Sequence, residues 1–183
     1  PWALGAFALA LSPRRYLWHH TLAGACFAVA VLTKETAFLL APVLLLAIAG
    51  RAEPALRRLS LVTASVSFAF VAGLYPLYAL CRGELFPSAG KVSLMAALQW
   101  QFIARRGSGS LLEPSSQRYA TVSRWLHHDR ELILAGIVAA LVLLASRRLR
   151  PIALAVLIPA LWVLRPGGYL PAMYVIGVLP FLT

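Results

Sequence analysis

A lysine and a glutamate interrupt a long apolar stretch early in the chain, in the segment AVAVLTKETAFLLAPVLLL. A charge pair in such surroundings is costly unless it faces water, protein or a polar ligand. In one interpretation, Lys34 and Glu35 form a hairpin tip at a membrane interface, where the lysine reaches towards the surface. In the other, Lys34 presents its compact ammonium charge to a phosphate at the outer leaflet.

A second candidate is the segment RPGGYLP, residues 165–171, between two apolar runs. Arg165 carries a planar guanidinium that matches phosphate or carboxylate, and the two glycines allow the backbone to approach a ligand. The alternative is an ordinary loop with an arginine and a tyrosine at the membrane interface.

The remaining polar clusters give weaker signals. His127 and Glu131 would share one face of a helix, but no third ligand has a suitable spacing, so we predict no metal site and no cofactor. Residues 107–110, GSGS, lack the strand and helix context of a phosphate loop and are predicted to form a flexible turn. No pair of acidic residues resembles a catalytic dyad, so the sequence leaves the catalytic residues unknown.

The composition is typical of a membrane protein. Of the 183 residues, 61% are hydrophobic and 13% charged, whereas about half of a soluble domain is apolar and about a quarter is charged. The net charge of +11 would suggest nucleic acid as the partner of a soluble protein. Here the charges lie between apolar runs, where arginine-rich cytoplasmic loops near anionic lipid explain them. We therefore predict membrane lipids, and no nucleic acid, as partners.

Apolar runs predict an all-α, polytopic bundle of transmembrane helices. They occupy residues 2–11, 17–32, 36–49, 59–80, 132–145, 151–164 and 170–182. The first and last runs reach the two termini, so we expect the sequence to be an internal piece of a longer protein, truncated at both ends. His19 and His20 are predicted to mark the interface end of a span.

The stretch 17–49 is too long for one straight crossing and short for two, and charge decides between them. A tight hairpin with Lys34 and Glu35 at its tip places the arginines of three short loops on one side, which the positive-inside rule makes cytoplasmic. These arginines are Arg14, Arg15, Arg51, Arg57, Arg58, Arg147, Arg148 and Arg150. The extracytoplasmic side then holds Lys34, a loop over residues 84–130 and the segment 165–169. Within the loop, residues 91–106 predict an amphipathic helix on the outer membrane surface.

The order of these elements resembles the GT-C superfamily of integral-membrane glycosyltransferases, in the branch of the protein O-mannosyltransferases and the aminoarabinose transferase of lipid A. LTKETAFLLAP, residues 32–42, is similar to that family's LTK…P hairpin. RPGGYLP resembles its R-Y-x-x-P segment after the outer loop. The resemblance covers most of the chain and implies one transmembrane domain over residues 1–183.

The family transfers a sugar from a polyprenyl-phosphate-linked donor to an acceptor on the extracytoplasmic face, and a multi-pass protein of the bacterial plasma membrane is the implied setting. Lys34 and Arg165 would contact the donor phosphate, and Glu35 and Tyr169 would shape the site. The family's catalytic base is an acidic residue in a first outer loop, which we expect to lie outside this fragment. The sugar and the acceptor, whether protein, lipid or glycan, are not specified. Competing hypotheses are a polytopic transporter or lipid flippase without glycosyltransferase activity, and a structural membrane subunit.

Overall fold

A computed structural model of the chain describes residues 1–14, 16–88, 90–104, 107–146 and 149–164, which are almost entirely helices joined by turns. In this part of the chain, the only β-type backbone pairing is an isolated bridge between Ser88 and Lys91. The all-α prediction is therefore confirmed. The chain divides into two compact units, residues 1–98 and 99–183, and each is described by itself.

The helices of the first unit follow the predicted apolar runs closely. They are α1 (Trp2–Ala10), α2 (Leu17–Thr33), α3 (Ala41–Arg51), α4 (Arg57–Cys81) and α5 (Leu94–Gln99), which reaches one residue into the second unit. Short 3₁₀ helices, Glu35–Leu40 and Pro54–Leu56, lead into α3 and α4. A 3₁₀ segment thus occupies the first part of the run 36–49, which was predicted as one apolar segment.

Helices α2 and α4 pack side by side and run in the same direction. Gly24 of α2 lies against the backbone of Ala64, and the rings of Phe27 and Phe68 are 5.8 Å apart, so contacting residues advance together along both helices. The chain between them must therefore return to its starting level. The return begins at Lys34, whose extended backbone (φ −153°, ψ 110°) ends α2, at the residue predicted for the hairpin tip.

The predicted surface helix is shorter than expected. Lys91 to Ser93 precede it, because the Ser93 hydroxyl accepts a hydrogen bond from the backbone N–H of Ala96 (3.1 Å) and caps the first turn of α5. A π-helical segment, Trp100–Ala104, follows α5 directly. Its apolar side chains include Ile103, which is largely exposed, as the predicted amphipathic surface requires.

The second unit contains α6 (Gln117–Leu143) and α7 (Arg150–Leu164), which pack against each other around Ala140, Ala153 and Val156. Helix α6 is kinked at Asp129, where the backbone leaves the helical region (φ −130°, ψ 33°). The kink divides α6 into a polar first half and an apolar second half, close to the predicted start of a span at residue 132. The predicted run 170–182 lies outside the described residues.

Helix α4 buries small side chains and exposes large apolar ones, the reverse of the pattern in a helix of a soluble protein. Its buried residues are small, namely Ser60, Ala64 and Ala79, whereas large side chains such as Val66 and Phe70 are exposed. The helical stretch Pro54–Cys81 is 28 residues long, and among the described helices it alone is long and apolar enough to cross a membrane. Only 11% of its most apolar window is buried, so the rest of the unit leaves its apolar face uncovered.

Replacing Gly24 by alanine is expected to destabilise the first unit. The new Cβ would overlap the carbonyl oxygen of Ala64 and lie 2.9 Å from its carbonyl carbon, and backbone cannot move aside as a side chain can. We expect a loss of about 1–3 kcal/mol, the usual cost of overpacking. Thermal unfolding of the detergent-purified protein measures it.

Gly73→Ala in α4 is the matched control, because a Cβ there meets no atom within 4 Å. Alanine is also the better helix former, so this variant should unfold at or above the temperature of the original protein. Equal destabilisation by the two substitutions would contradict the close approach of α2 and α4.

Candidate functional site

The helix directions of the first unit sort its charged residues into two groups. Because α2 and α4 start at the same level, the connections that precede them lie at one end, here called the basic end. It holds Arg14, Arg51, Glu53, Arg57 and Arg58. The other end, where α2 and α4 finish, is here called the lysine end and holds Lys34, Glu35, Arg82, Glu84 and Lys91. The basic end is strongly cationic, with four arginines against one glutamate, whereas the lysine end has three cations against two carboxylates.

Lys34 lies where the helical hydrogen bonding changes. Its backbone N–H still donates to the carbonyl oxygen of Ala30 (2.9 Å), while its own carbonyl accepts from Ala37 in the following 3₁₀ helix (2.9 Å). Lys34 and Glu35 are both half-buried. The break therefore holds an ammonium group close to the apolar surface of the unit, at a level where water and a polar ligand can both reach it.

Arg82 is a further cation at the lysine end that the sequence analysis did not single out. Its guanidinium carbon lies 6.0 Å from the centre of the Tyr78 ring, and its Nε lies 3.7 Å from a carboxylate oxygen of Glu84. Both charged side chains are well exposed, so the ion pair contributes about 1 kcal/mol or less. The register of α2 on α4 places Arg82 about seven residues, or roughly 10 Å, beyond the level of Lys34.

The other predicted phosphate ligand cannot be placed beside Lys34. Arg165 and Tyr169 lie outside the described residues, as do Arg15, Arg147 and Arg148. The described part of α7 extends to Leu164. The described part of the proposed donor site is therefore the lysine end of the first unit.

The histidine and glutamate of the second unit do not form a metal-binding face. The kink at Asp129 lies between His127 and Glu131 and breaks the helical register that would align them. The rings of His127 and His128 meet edge to face at 5.3 Å. Within the described residues, no group of three or more histidine, cysteine or acidic side chains is arranged to hold a metal ion.

The GSGS segment, predicted as a flexible turn, is instead packed on the start of α6. The carbonyl oxygen of Ser108 accepts from the backbone N–H of Arg118 (2.8 Å), and Ser108 is buried. The Ser116 hydroxyl donates to the carbonyl oxygen of Ser110 and accepts from the N–H of Tyr119. These bonds use N–H groups of the first helical turn, which a phosphate loop would need to keep available.

Arg118 is the buried cation of the second unit, with 3% of its surface exposed. Its Nη1 donates to the carbonyl oxygen of Val163 (3.2 Å), close to the last described residue of α7. A hydrogen bond from a guanidinium to a main-chain carbonyl is charge-assisted and stronger than one between neutral groups. Sequence reasoning missed Arg118 because it resembles the exposed arginines around it, and only the fold brings residues 118 and 163 together.

No family model, no curated protein and no solved structure matches this chain. Any functional role of Lys34 and Arg82 therefore has to be argued from their chemistry and position. At this end a primary ammonium and a guanidinium stand at the edge of a large apolar surface. That combination suits an amphiphile whose anionic group is joined to a long apolar chain.

Arg118→Met should destabilise the second unit. The substitution keeps most of the side-chain volume but removes a charged donor to Val163, and such hydrogen bonds contribute about 1.5–3 kcal/mol. Arg124→Met, at an exposed position of the same helix, should change stability by about 0.5 kcal/mol or less. Hydrogen exchange of the α7 amides reports the difference, and identical protection in both variants would contradict a stabilising hydrogen bond from Arg118 to Val163.

Proposed function

We propose that this chain is part of a multi-pass membrane glycosyltransferase that takes a sugar from a polyprenyl-phosphate-linked donor on the extracytoplasmic face. The observation that carries the proposal is the position of Lys34, in a helix break at the weakly charged end of an apolar helical unit. The acceptor is a protein, lipid or glycan. The catalytic base is proposed to lie outside this chain.

The packing of the first unit supports a membrane location. In lipid, helices gain nothing by hiding large apolar side chains from water, so small residues collect at their contacts and permit close van der Waals packing. Gly24 of α2 lies against the backbone of Ala64 of α4 in this way, and the rings of Phe27 and Phe68 pack one turn further along the same seam. The exposed valines and phenylalanines of α4 would then face lipid or further helices of a polytopic bundle.

The charge asymmetry of the unit supports the orientation. Cytoplasmic loops of membrane proteins are enriched in lysine and arginine, and the basic end carries four arginines against one glutamate. With the basic end in the cytoplasm, the lysine end faces outwards. Lys34 then lies at the outer leaflet, the level at which a lipid-linked sugar phosphate carries its charge.

The donor phosphate is proposed to bind Lys34, with Arg165 as its second contact and with Glu35 and Tyr169 shaping the site. An ammonium pairs with phosphate oxygens as a compact charge, and a guanidinium can bind two of them at once. The low dielectric beside the apolar surface would strengthen both contacts relative to bulk water. The polyprenyl chain would lie along the uncovered apolar face of the unit.

A transporter or lipid flippase is the alternative, and the break in α-helical structure between α2 and α3 favours it. Transporter sites are often built where a helix is discontinuous, and the 3₁₀ helix Glu35–Leu40 separates α2 from α3. The full-length protein, purified and placed in vesicles with a lumenal acceptor, separates the two hypotheses. Glycosylated product supports the transferase, and movement of the intact donor without product supports the transporter.

Lys34→Ala is expected to abolish sugar transfer while leaving membrane insertion intact. Losing a charged hydrogen bond worth about 1.5–3 kcal/mol should weaken polyprenyl-phosphate binding about 10- to 100-fold. Polyprenyl phosphate itself is the probe, because every donor of this class contains it. Lys91→Ala, an exposed lysine, is the control and should bind as the original protein does. Unchanged binding by Lys34→Ala would remove this lysine from the site.

Cysteine labelling tests the orientation. In a protein with Cys26 and Cys81 replaced by alanine, Ser88→Cys should react with a membrane-impermeant maleimide on intact cells. Ala55→Cys, at the basic end, should react only after permeabilisation. Both positions are exposed, so burial does not account for a difference. Labelling of both cysteines from outside would contradict a crossing by α4.

A further inference from the structure

The basic end of the first unit carries more positive charge than the chain itself neutralises. Its arginines are Arg14, Arg51, Arg57 and Arg58, and in the described part of the chain none of them forms an ion pair with a carboxylate. Arg51, Arg57 and Arg58 flank the connection between α3 and α4, and the fold brings Arg14, between α1 and α2, to the same end. Four unpaired guanidinium groups at one end attract an anion from outside the chain.

Two helix N-termini at this end present backbone N–H groups. Helices α2 and α4 both start at the basic end, whereas α1 and α3 finish there, so the partial charges of the four dipoles largely offset one another at that end. What the two starts add is the unsatisfied N–H groups of their first turns. Neither start is capped by a side chain, and neither first turn contains an acidic residue. The N-cap positions are Tyr16 and Leu56, residue types that cannot supply the usual hydroxyl or carboxylate acceptor at that distance.

Buried histidine nitrogens at the same level point independently to a missing polar partner. His19 and His20 are 6% and 2% exposed, and the Nδ1 atom of each is buried without a hydrogen-bond partner in the described residues. The His19 ring stacks on Tyr16 at 5.7 Å, so it leans towards the start of α2. A buried polar atom without a partner is costly, which favours a ligand that donates or accepts a hydrogen bond there.

We propose that the basic end binds the phosphate headgroup of an anionic phospholipid in the cytoplasmic leaflet. Arg57 and Arg58 begin α4, the long apolar helix, so a phosphate bound to them has its acyl chains beside that helix's uncovered face. A headgroup hydroxyl or amine can hydrogen-bond to the histidine nitrogens. Inorganic phosphate lacks this additional group. The site rests on the proposed membrane location but not on glycosyl transfer, so donor binding at Lys34 and lipid binding here can fail separately.

The test is lipid binding to the protein in a neutral detergent, followed by native mass spectrometry. Phosphatidylglycerol should bind the original protein at least about tenfold more tightly than phosphatidylcholine. Each basic residue near an anionic lipid contributes roughly a fivefold factor, so Arg57→Gln with Arg58→Gln should weaken phosphatidylglycerol binding roughly 30-fold. Lys91→Gln with Arg124→Gln removes the same charge elsewhere and should change binding by about twofold or less.

Further variants separate a headgroup site from general charge attraction. His20→Phe keeps a ring of similar volume without nitrogens, and should weaken phosphatidylglycerol binding while phosphatidylcholine binding stays unchanged. Arg14→Gln lies in a connection outside the helices, so it tests the site with about a fivefold loss if the double variant fails to fold.

Three results would overturn the proposal. The first is unchanged phosphatidylglycerol binding in the Arg57 and Arg58 variant. The second is an equal loss in the control pair, which would mean that net charge alone matters. The third is displacement of phosphatidylglycerol by inorganic phosphate at an equal concentration, which would make the site one for a free anion.

Discussion

Helices α2 and α4 meet where the backbone of Ala64 occupies the space that a side chain on residue 24 would fill. This contact allows two helices of the same direction to lie side by side, and the arrangement of the first unit follows from it. Two parallel helices that are neighbours in space must be joined by a returning segment. Lys34, the 3₁₀ helix after it and α3 form that return, and the charged residues of the unit are sorted to its two ends as a result.

The same contact explains why the large apolar residues lie outside. The approach of Gly24 to Ala64 brings the helix backbones close, and dispersion forces stabilise it without needing water to be expelled. Large side chains are then displaced to the outer face of α4, where nothing in the unit covers them. In water this arrangement would expose a continuous apolar surface, which soluble monomers rarely do.

Local features of the fold were predictable from the sequence. Apolar runs bounded by charges gave the limits of α1, α2, α4 and α7 to within two residues, and the charge pair after Thr33 marked the end of α2. The fine structure was harder. Ser93 caps α5, so the helix begins later in the chain than the predicted start at residue 91. The kink at Asp129 was not predictable, because no proline or glycine lies at that position.

The site features that the sequence did not reveal are those that depend on distant residues. That Arg118 contacts Val163, or that α2 lies parallel to α4, is a consequence of packing between segments separated by about 40 residues or more. His19 and His20 lie in the first turn of α2, and their burial depends on the helices packed around it. By contrast, the position of Lys34 at a helix break was visible because it is a local conflict between charge and apolar neighbours.

The parallel pair has an electrical consequence for a protein in an energised membrane. The dipoles of α2 and α4, with 17 and 25 residues, point the same way, while the shorter α1 and α3 oppose them. The unit therefore has a net moment along its axis whose positive pole coincides with the basic end. In the proposed orientation that pole faces the electrically negative interior, and each elementary charge moved across 100 mV is worth about 2.3 kcal/mol. The resting voltage would then stabilise this orientation of the unit in the membrane, and depolarisation would reduce that stabilisation.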